Sequence, residues 1–443
     1  MLKVSVIGMG NLGVPIACSI AKHGDCEVIG IDTNQEIVDM INRGTSPTME
    51  CDGVLPELVS NGKLSASSLY TSVADTDITI IIVGTPSNPD GSFSIAQVEK
   101  AITSTGLAVR DKVQAGNYHL VVVLSTLMPG HGRQLVAALE NATGMLYDSG
   151  SYGFVYNPEL VAIGTVSRDF LAPDVIVVGE AKQEDPAAER WTSFYRDCVI
   201  ANAHVHEYWP TAVMSLESAE LFKLWLNTIV AGKISIANAI AAMCEAISGA
   251  DAIDVTDALG YDRRIGHRFL RPGMGYGGTC FPRDIPAMQY AMSKTDIDLD
   301  YFLVPMAVDC VNEQTHKRIM RHIQRYVQPG DTVAVLGVAF KHGVGIVTGS
   351  QSCRLIEELI DYGYNVSVYD PYVKDDDIPA GARRYKTAQG CITRANVVVL
   401  ADMESLELRG LSYEENQVVV DVWRALDDVD NVSAKVISLG KGE

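Results

Sequence analysis

Short apolar runs alternate with helix-period stretches along the first part of the chain. Val4 to Gly8 is one such run and ends in a glycine-rich turn, after which a helical pattern extends from Val14 to about Lys22. Glu27 to Asp32 is the next strand-like segment. Ile78 to Val83, Leu120 to Leu124 and Val175 to Val178 are continuous apolar runs of the kind that a parallel sheet buries on both faces. This alternation predicts a doubly wound α/β domain over residues 1–205. The middle of the chain reads differently. From Leu216 to about Ile247, Leu221, Leu224, Trp225, Ile229, Ile234, Ile236 and Ile240 recur at helical spacing without a proline. That predicts one long helix joining domains or subunits. It is apolar on more than one face, which predicts pairing with a second copy of the chain. A glycine-rich loop region follows from Asp262 to Asp284. A second alternation begins at Asp331, with strands at Thr332–Leu336, Val366–Tyr369, Val397–Leu400 and Val418–Val420 and a helix around Leu355–Ile360. The expected fold is therefore α/β, with two Rossmann-like doubly wound domains joined by a long central helix. The expected domains are residues 1–205, a helical part over 206–325 and a second Rossmann-like unit over 326–443.

The chain of 443 residues is long enough for two or three domains. Its 35 Lys and Arg against 55 Asp and Glu leave a net charge of −20, which argues against nucleic-acid or anionic membrane surfaces as partners. A small anionic substrate remains compatible, since a local site needs only a few donors. The nine cysteines are scattered, odd in number and never paired as CxxC. Neither a disulfide framework nor a metal site is expected, and a reducing cytoplasm is. The strand-like run Leu2–Ile7 starts at once, so no signal peptide is expected, nor any apolar run long enough to span a bilayer.

Gly8-Met9-Gly10-Asn11-Leu12-Gly13 follows a strand and opens a helix, and Asp32 ends the next strand nineteen residues after Gly13. The first glycine permits a tight turn, the second lets a pyrophosphate approach the backbone, and the third lets helix and strand pack. An acidic side chain at position 32 can bind a ribose diol and repels a 2′-phosphate, so the expected cofactor is NAD rather than NADP. The alternative for a bare glycine fingerprint is a Rossmann-like fold without nucleotide; the strand–turn–helix–strand–Asp context favours the dinucleotide.

Gly275-Tyr276-Gly277-Gly278-Thr279-Cys280-Phe281-Pro282-Arg283-Asp284 places a cysteine beside glycines that free the backbone to approach a ligand. Such a cysteine is a candidate nucleophile, although a lone cysteine is more often a small buried hydrophobe. The ordered motifs decide between these. Gly30-Ile31-Asp32, Ile41 to Pro47, Val83-Gly84-Thr85-Pro86, Asp90-Gly91, Ser94, Ser125-Thr126 with Pro129-Gly130, Asn157-Pro158-Glu159, Ala219 to Lys223 with Asn227, Arg264-Ile265-Gly266, the cysteine loop, Gly337 to Lys341 and Tyr369-Asp370-Pro371 run almost end to end. In them the chain resembles the UDP-glucose/GDP-mannose dehydrogenase family, as a divergent member.

The resemblance implies an NAD-dependent oxidation of a nucleotide-sugar C6 alcohol to the acid in two hydride transfers. Cys280 would attack the intermediate aldehyde, giving a thiohemiacetal and then a thioester. Lys223, Asn227 and Asp284 would surround the reacting oxygens, Thr126 would help hold a water, and Glu159 would act in proton transfer or thioester hydrolysis. Gly8, Gly10, Asn11, Leu12, Gly13, Asp32, Gly84, Thr85, Pro86, Thr126 and Arg283 would bind the cofactor. Glu159, Lys223, Asn227, Arg264, Phe269, Leu270, Gly273, Gly277, Phe340 and Lys341 would bind the substrate, with Arg264 reaching into the neighbouring subunit of a homodimer. The chemistry agrees: a thiolate is suited to trapping an aldehyde, an ammonium stabilises an alkoxide, and Lys223 and Asn227 lie four apart on one helix face.

Some positions depart from the family pattern. Ile163 replaces a second Glu after Asn157-Pro158-Glu159, and Ile37 replaces a basic residue often found near the adenine ribose. Arg283 replaces Lys, and Thr279 stands where many N-acetylmannosamine-type enzymes have His. Thr348 stands where an Arg typically contacts the sugar nucleotide, and it lacks a bidentate fork. UDP-glucose is the leading substrate. The alternatives are another UDP- or GDP-sugar, an oxidation stopping at the aldehyde, and a sugar-nucleotide-binding protein without turnover.

Overall fold

The apolar runs form two sheets in the computed structural model, which describes residues 2–204, 209–402, 406–430 and 432–442. The first sheet has strands β1 (Leu2–Ile7), β2 (Cys26–Ile31), β3 (Leu64–Ser67), β4 (Ile78–Ile81), β5 (His119–Val123), β6 (Tyr152–Tyr156), β7 (Ile176–Glu180) and β8 (Thr211–Ser215). Their order is β3-β2-β1-β4-β5-β6-β7-β8, and every pairing is parallel except β6 with β7. Strand direction alternates side chains between two buried faces. Val4, Val6, Ile80 and Val122 pack on one side, and Ile7, Ile81, Val121 and Val123 on the other. A polar thread crosses the second face. Ser5 Oγ lies 2.8 Å from Thr79 Oγ1, which lies 2.8 Å from His119 Nε2, and His119 Nδ1 is 2.9 Å from the Thr76 carbonyl. Burial pushes the His119 pKa down to about 4, so the ring is neutral.

The second sheet has β9 (Thr332–Leu336), β10 (Asn365–Tyr369), β11 (Arg383–Arg384), β12 (Val397–Leu400), β13 (Val418–Asp421) and β14 (Lys435–Ser438). It is wholly parallel, in the order β11-β10-β9-β12-β13-β14. Val333, Val335 and Val399 face one core, and Ala334, Leu336 and Val398 the other. Both sheets thus have the strand order of a doubly wound fold, with the crossover reversing at β1/β4 and at β9/β12.

Strands β3, β6, β8, β11 and β14 were not anticipated from the sequence. Strands β3, β8, β11 and β14 lie at sheet edges and acquire their conformation by pairing, whereas β6 is a buried central strand, YGFVY, whose apolar run was overlooked. One of them, β8, carries the first sheet past residue 205. The long helix runs from Leu216 to Glu245. Contrary to the expectation of no such run, it is long and apolar enough, at a hydropathy of 1.3, to cross a membrane by length and composition. Core helices of water-soluble folds pass the same test, and this one buries Lys223, Asn227, Ser235 and Asn238. The chain divides into two units, Met1–Leu224 and Trp225–Glu443.

Candidate active site

In the first unit the expected cofactor residues gather at the carboxyl ends of β1, β2, β4 and β5, around the point where the strand order reverses. Gly8 has φ +97°, and a Cβ there would lie 2.7 Å from the Ile82 carbonyl oxygen. A Cβ on Gly13 would lie 1.8 Å from the Gly8 oxygen, so the fold itself demands both glycines. Gly10 is different: a Cβ there would meet nothing within 4 Å. Nothing in the protein requires a glycine at that position, and the backbone is left open to a ligand. Asn11 is exposed beside it, and Leu12 packs against the core. Asp32 Oδ2 accepts from Met9 N at 2.8 Å and Oδ1 from Asn34 N at 2.8 Å. Each carboxylate oxygen keeps further accepting capacity for a ribose diol. The residues present therefore fit NAD. Ile37, where a basic residue was expected, is half-buried against the core.

After β4, Gly84 and Pro86 are exposed and Thr85 is buried. Ser125 Oγ donates to the Val83 carbonyl at 2.8 Å, tying the Ser125-Thr126 loop to that segment. Glu220, quoted in the sequence motif but given no role, is what holds the rest of this loop. Fully buried, it accepts from Gly130 N at 2.7 Å and Gly132 N at 2.6 Å, at the start of the helix His131–Thr143. A carboxylate is favoured there by the helix dipole, although burial raises its pKa to about 7.

Beyond β6, Lys223 Nζ donates to the Glu159 carbonyl oxygen at 2.6 Å, and both residues are buried. The Glu159 carboxyl is pushed up to about 8 by burial, against the pull of the Lys223 charge, and its Oε1 has no hydrogen-bond partner among the described residues. Burial thus favours the protonated form of this carboxyl, and Lys223 is held by the main-chain carbonyl of the same residue. Asn157 accepts from Trp191 Nε1 at 2.6 Å and so anchors the turn. Ile163 is half-buried farther along it. The carboxylate brought to this turn is that of Glu50, which the sequence did not single out. It accepts from Gly164 N at 2.9 Å and Ser167 N at 3.3 Å.

In the second unit Cys280 is exposed and occupies the N-cap of the helix Phe281–Ser293. Its carbonyl accepts from Asp284 N at 2.8 Å. Negative charge developing near the sulfur faces the positive end of that helix. Asp284 is fully buried, accepting from Asn227 Nδ2 at 2.5 Å and from Arg283 Nε at 3.0 Å. Arg283, expected at the cofactor, here pairs with Asp284.

The glycines before Cys280 have a cause within the fold that the sequence did not show. A Cβ on Gly273 would lie 2.1 Å from Trp423, one on Gly275 2.4 Å from Asn312 Oδ1, one on Gly277 2.6 Å from the Gly349 oxygen and one on Gly278 2.6 Å from Phe340. Packing within the unit by itself requires them. Asn312, unmarked in the sequence, accepts from Tyr276 N at 2.8 Å and donates to the Tyr276 carbonyl at 3.1 Å. Gly278 N donates to the Thr348 carbonyl at 2.9 Å, which joins the cysteine loop to the divergent segment after Lys341. Thr348 itself is exposed, and Phe340 and Lys341 are half-buried. His342 Nδ1 lies 2.8 Å from Asp402 Oδ2. Asp370 ends β10 as Asp32 ends β2, but its oxygens accept from Val338, Ala339, Tyr372 and Val373 N–H groups, so it serves the backbone.

Arg264 stands on the surface with its guanidinium on Asp262, 3.0 and 2.6 Å away. Phe269 is exposed at φ +65°, and Leu270 is buried. On the long helix Ile229, Ile236 and Met243 recur every seven residues and are 59, 57 and 66% exposed. Leu224 is buried, and Trp225 and Ile240 are half-buried.

Three consecutive segments match one family. Residues 2–199 match the NAD binding domain of the UDP-glucose/GDP-mannose dehydrogenase family, 217–314 its central domain and 334–428 its UDP binding domain. The UDP-glucose 6-dehydrogenase AglM of Haloferax volcanii is 33% identical over 85% of this chain and 84% of its own length. The GDP-mannose 6-dehydrogenase of Pseudomonas putida is 27% identical over 98% of this chain and 99% of its own length. Among solved structures, a UDP-glucose dehydrogenase from Pyrobaculum islandicum superposes with a TM-score of 0.86 at 30% identity, covering 100% of this chain and 98% of that one. With an open dinucleotide turn ending on Asp32, a thiol at a helix start and relatives of this length and identity, the chain belongs to the UDP-glucose/GDP-mannose dehydrogenase family and is an NAD-dependent nucleotide-sugar 6-dehydrogenase.

Proposed function

We propose that the chain oxidises the C6 alcohol of UDP-glucose to the carboxylate of UDP-glucuronate, with Cys280 as covalent nucleophile. NAD, when bound, supplies the hydride acceptor for both oxidations. The observation that carries the reading is the exposed Cys280 thiol at a helix start, with the buried Asp284 carboxylate one turn on and held by Asn227. The thiol adds to the C6 aldehyde. Loss of the second hydride leaves a thioester, which water cleaves to release the acid and the thiol. Lys223 spends one donor on the Glu159 carbonyl and keeps others for oxyanion character at C6. Asp284 handles protons at the thiol's side, and Thr126 helps to hold a water. Glu159, protonated up to about pH 8, serves proton transfer in the thioester step.

UDP-glucose is favoured over GDP-mannose because relatives named for it match at 33 and 30% identity, against 27% for the Pseudomonas putida GDP-mannose enzyme. The division of labour follows: cofactor over residues 1–205, linkage and the cysteine loop over 206–325, and nucleotide sugar over 326–443. Arg283 would serve the cofactor, and Phe269, Leu270, Gly273, Gly277, Phe340 and Lys341 the sugar nucleotide. The working form is a homodimer, supported by the exposed apolar stripe, with Arg264 serving the partner's substrate. A reducing cytoplasm suits the exposed Cys280. A second reading, oxidation that stops at the aldehyde, is favoured by Ile163 in place of a second carboxylate. The test is the NADH formed per nucleotide sugar consumed, over a panel of UDP-, GDP- and dTDP-sugars. Two NADH with UDP-glucose supports the acid and one supports the aldehyde. None would leave a sugar-nucleotide-binding protein.

A further inference from the structure

A cavity of about 630 Å³ lies in the second unit, between the C-terminal part of the long helix, the helix Leu303–Ile323 with the residues just after it, and the last strand β14. Four cations line it: Arg318, Arg321, Arg325 and Lys441. One carboxylate, Glu245, lines it too, and His322 stands beside that. Among the described residues, four cations against one carboxylate is a local excess of positive charge in a chain whose net charge is −20. An acidic protein gains nothing in stability by concentrating like charges around one hollow, so the arrangement calls for a counter-charge.

Two further observations point to a ligand. Arg318 is only 5% exposed, yet its Nε has no hydrogen-bond partner among the described residues. Its other nitrogens are used, NH1 donating to the Asn238 carbonyl at 2.7 Å and NH2 to Asn238 Oδ1 at 3.2 Å, so the side chain is held rigidly. His322 Nδ1 is likewise buried and has no hydrogen-bond partner among the described residues. Glu245 offsets one of these charges, that of Arg318, and leaves Arg321, Arg325 and Lys441 facing the hollow. Its Oε1 accepts from Gly440 N at 2.8 Å and stands 3.9 Å from Arg318 Nε, while its Oε2 is 3.2 Å from His322 Nε2. Among the described residues, neither Arg321 nor Arg325 has an ion-pair partner, and both are exposed toward solvent. The rest of the wall is small or apolar, with Ala242, Ala246, Val436 and Ile437. The volume is within the range of sites that take whole small molecules, roughly 300–1,000 Å³.

We propose that this cavity binds a phosphorylated small molecule, the phosphate groups on Arg318, Arg321, Arg325 and Lys441 and the remainder against the small apolar wall. Guanidinium groups, with Arg318 fixed, Arg321 exposed on the same helix and Arg325 exposed just after it, are matched to phosphate oxygens. None of these residues belongs to the dehydrogenase machinery described above, so the site is a second one.

The test is calorimetric titration of the full-length protein, with NAD at saturation so that the dinucleotide turn is filled. One arm uses inorganic phosphate and the other ATP. Both arms are repeated with the double variant Arg321→Gln/Arg325→Gln, and with Lys317→Gln, an exposed lysine on the same helix that does not line the cavity. Saturable binding that the double variant weakens by about tenfold or more, and that Lys317→Gln leaves unchanged, is the expected result. If phosphate alone behaves so, free phosphate is the source; if only ATP does, the source is a nucleotide. Should the double variant lose its fold, Lys441→Gln takes its place in the same comparison. Binding of neither probe, or binding that these substitutions leave unchanged, overturns the proposal.

Discussion

Glu159→Gln separates the electrostatics of the buried carboxyl from its shape. In the native chain burial lifts this pKa from 4.5 to about 8. The unfolded chain ionises near the lower value, so between the two values the folded protein holds a proton that the unfolded chain has lost. Stability from this group is full below about pH 4.5 and is lost as pH rises through about 8. At 1.36 kcal/mol per pH unit, the linkage removes about 3–4 kcal/mol between about pH 5 and about pH 8. Glutamine keeps the size and the neutral state and does not titrate. The two proteins should therefore melt alike near pH 5, and the variant should melt higher near pH 8. For a unit of this length the gain is roughly 10 °C, at about 2–4 °C per kcal/mol. Other titrating groups, among them His119, contribute equally to both proteins and cancel in the difference. Scanning calorimetry of both proteins at the two pH values measures it. Melting temperatures that stay within about 2 °C of each other at both pH values would refute the reasoning, since the carboxyl would then ionise in place at no cost.

Cys280→Ser should abolish acid formation while leaving NAD affinity unchanged, and carboxylate production at the wild-type rate would remove the thiol from the mechanism. Asp32→Ala should weaken NAD binding by about 10- to 100-fold through the loss of charged hydrogen bonds, and should raise the relative use of NADP; an unchanged cofactor preference, read from kcat/KM ratios, would contradict the role. Thr348→Arg should change UDP-sugar affinity by about tenfold in either direction, by adding a fork or by a clash, and titration with UDP-glucose decides whether this loop meets the ligand. Ile236→Asp should shift the mass from dimer to monomer in light scattering, since it sets a charge in the middle of the exposed stripe; mixed Cys280→Ser and Arg264→Ala chains should regain activity if Arg264 serves the partner. A wild-type monomer at assay concentration would sink both statements.

The two sheets, the long helix and the dinucleotide turn were legible in the chain because each rests on a local rule. Continuous Val and Ile runs make buried parallel strands, an uninterrupted helical period makes the helix, and glycine spacing before Asp32 makes the turn. The cysteine loop was legible as a motif, but not that its glycines accommodate Trp423, Asn312, Gly349 and Phe340. Those partners lie far away in sequence, and no local pattern announces a close approach between distant segments. The same holds for β8, which is a strand only because β7 pairs with it. It holds for Glu220, whose carboxylate bonds two amides some ninety positions earlier. Asp32 and Asp370 end equivalent strands and look alike in sequence, yet one keeps accepting capacity and the other spends both oxygens on four backbone amides. The shifted carboxyl of Glu159 and the unspent donor of Arg318 are of this kind too. Periodicity and motif spacing are carried by neighbours along the chain, whereas burial, desolvation and hydrogen-bond saturation depend on which distant residues close over a group, and only the folded chain decides that.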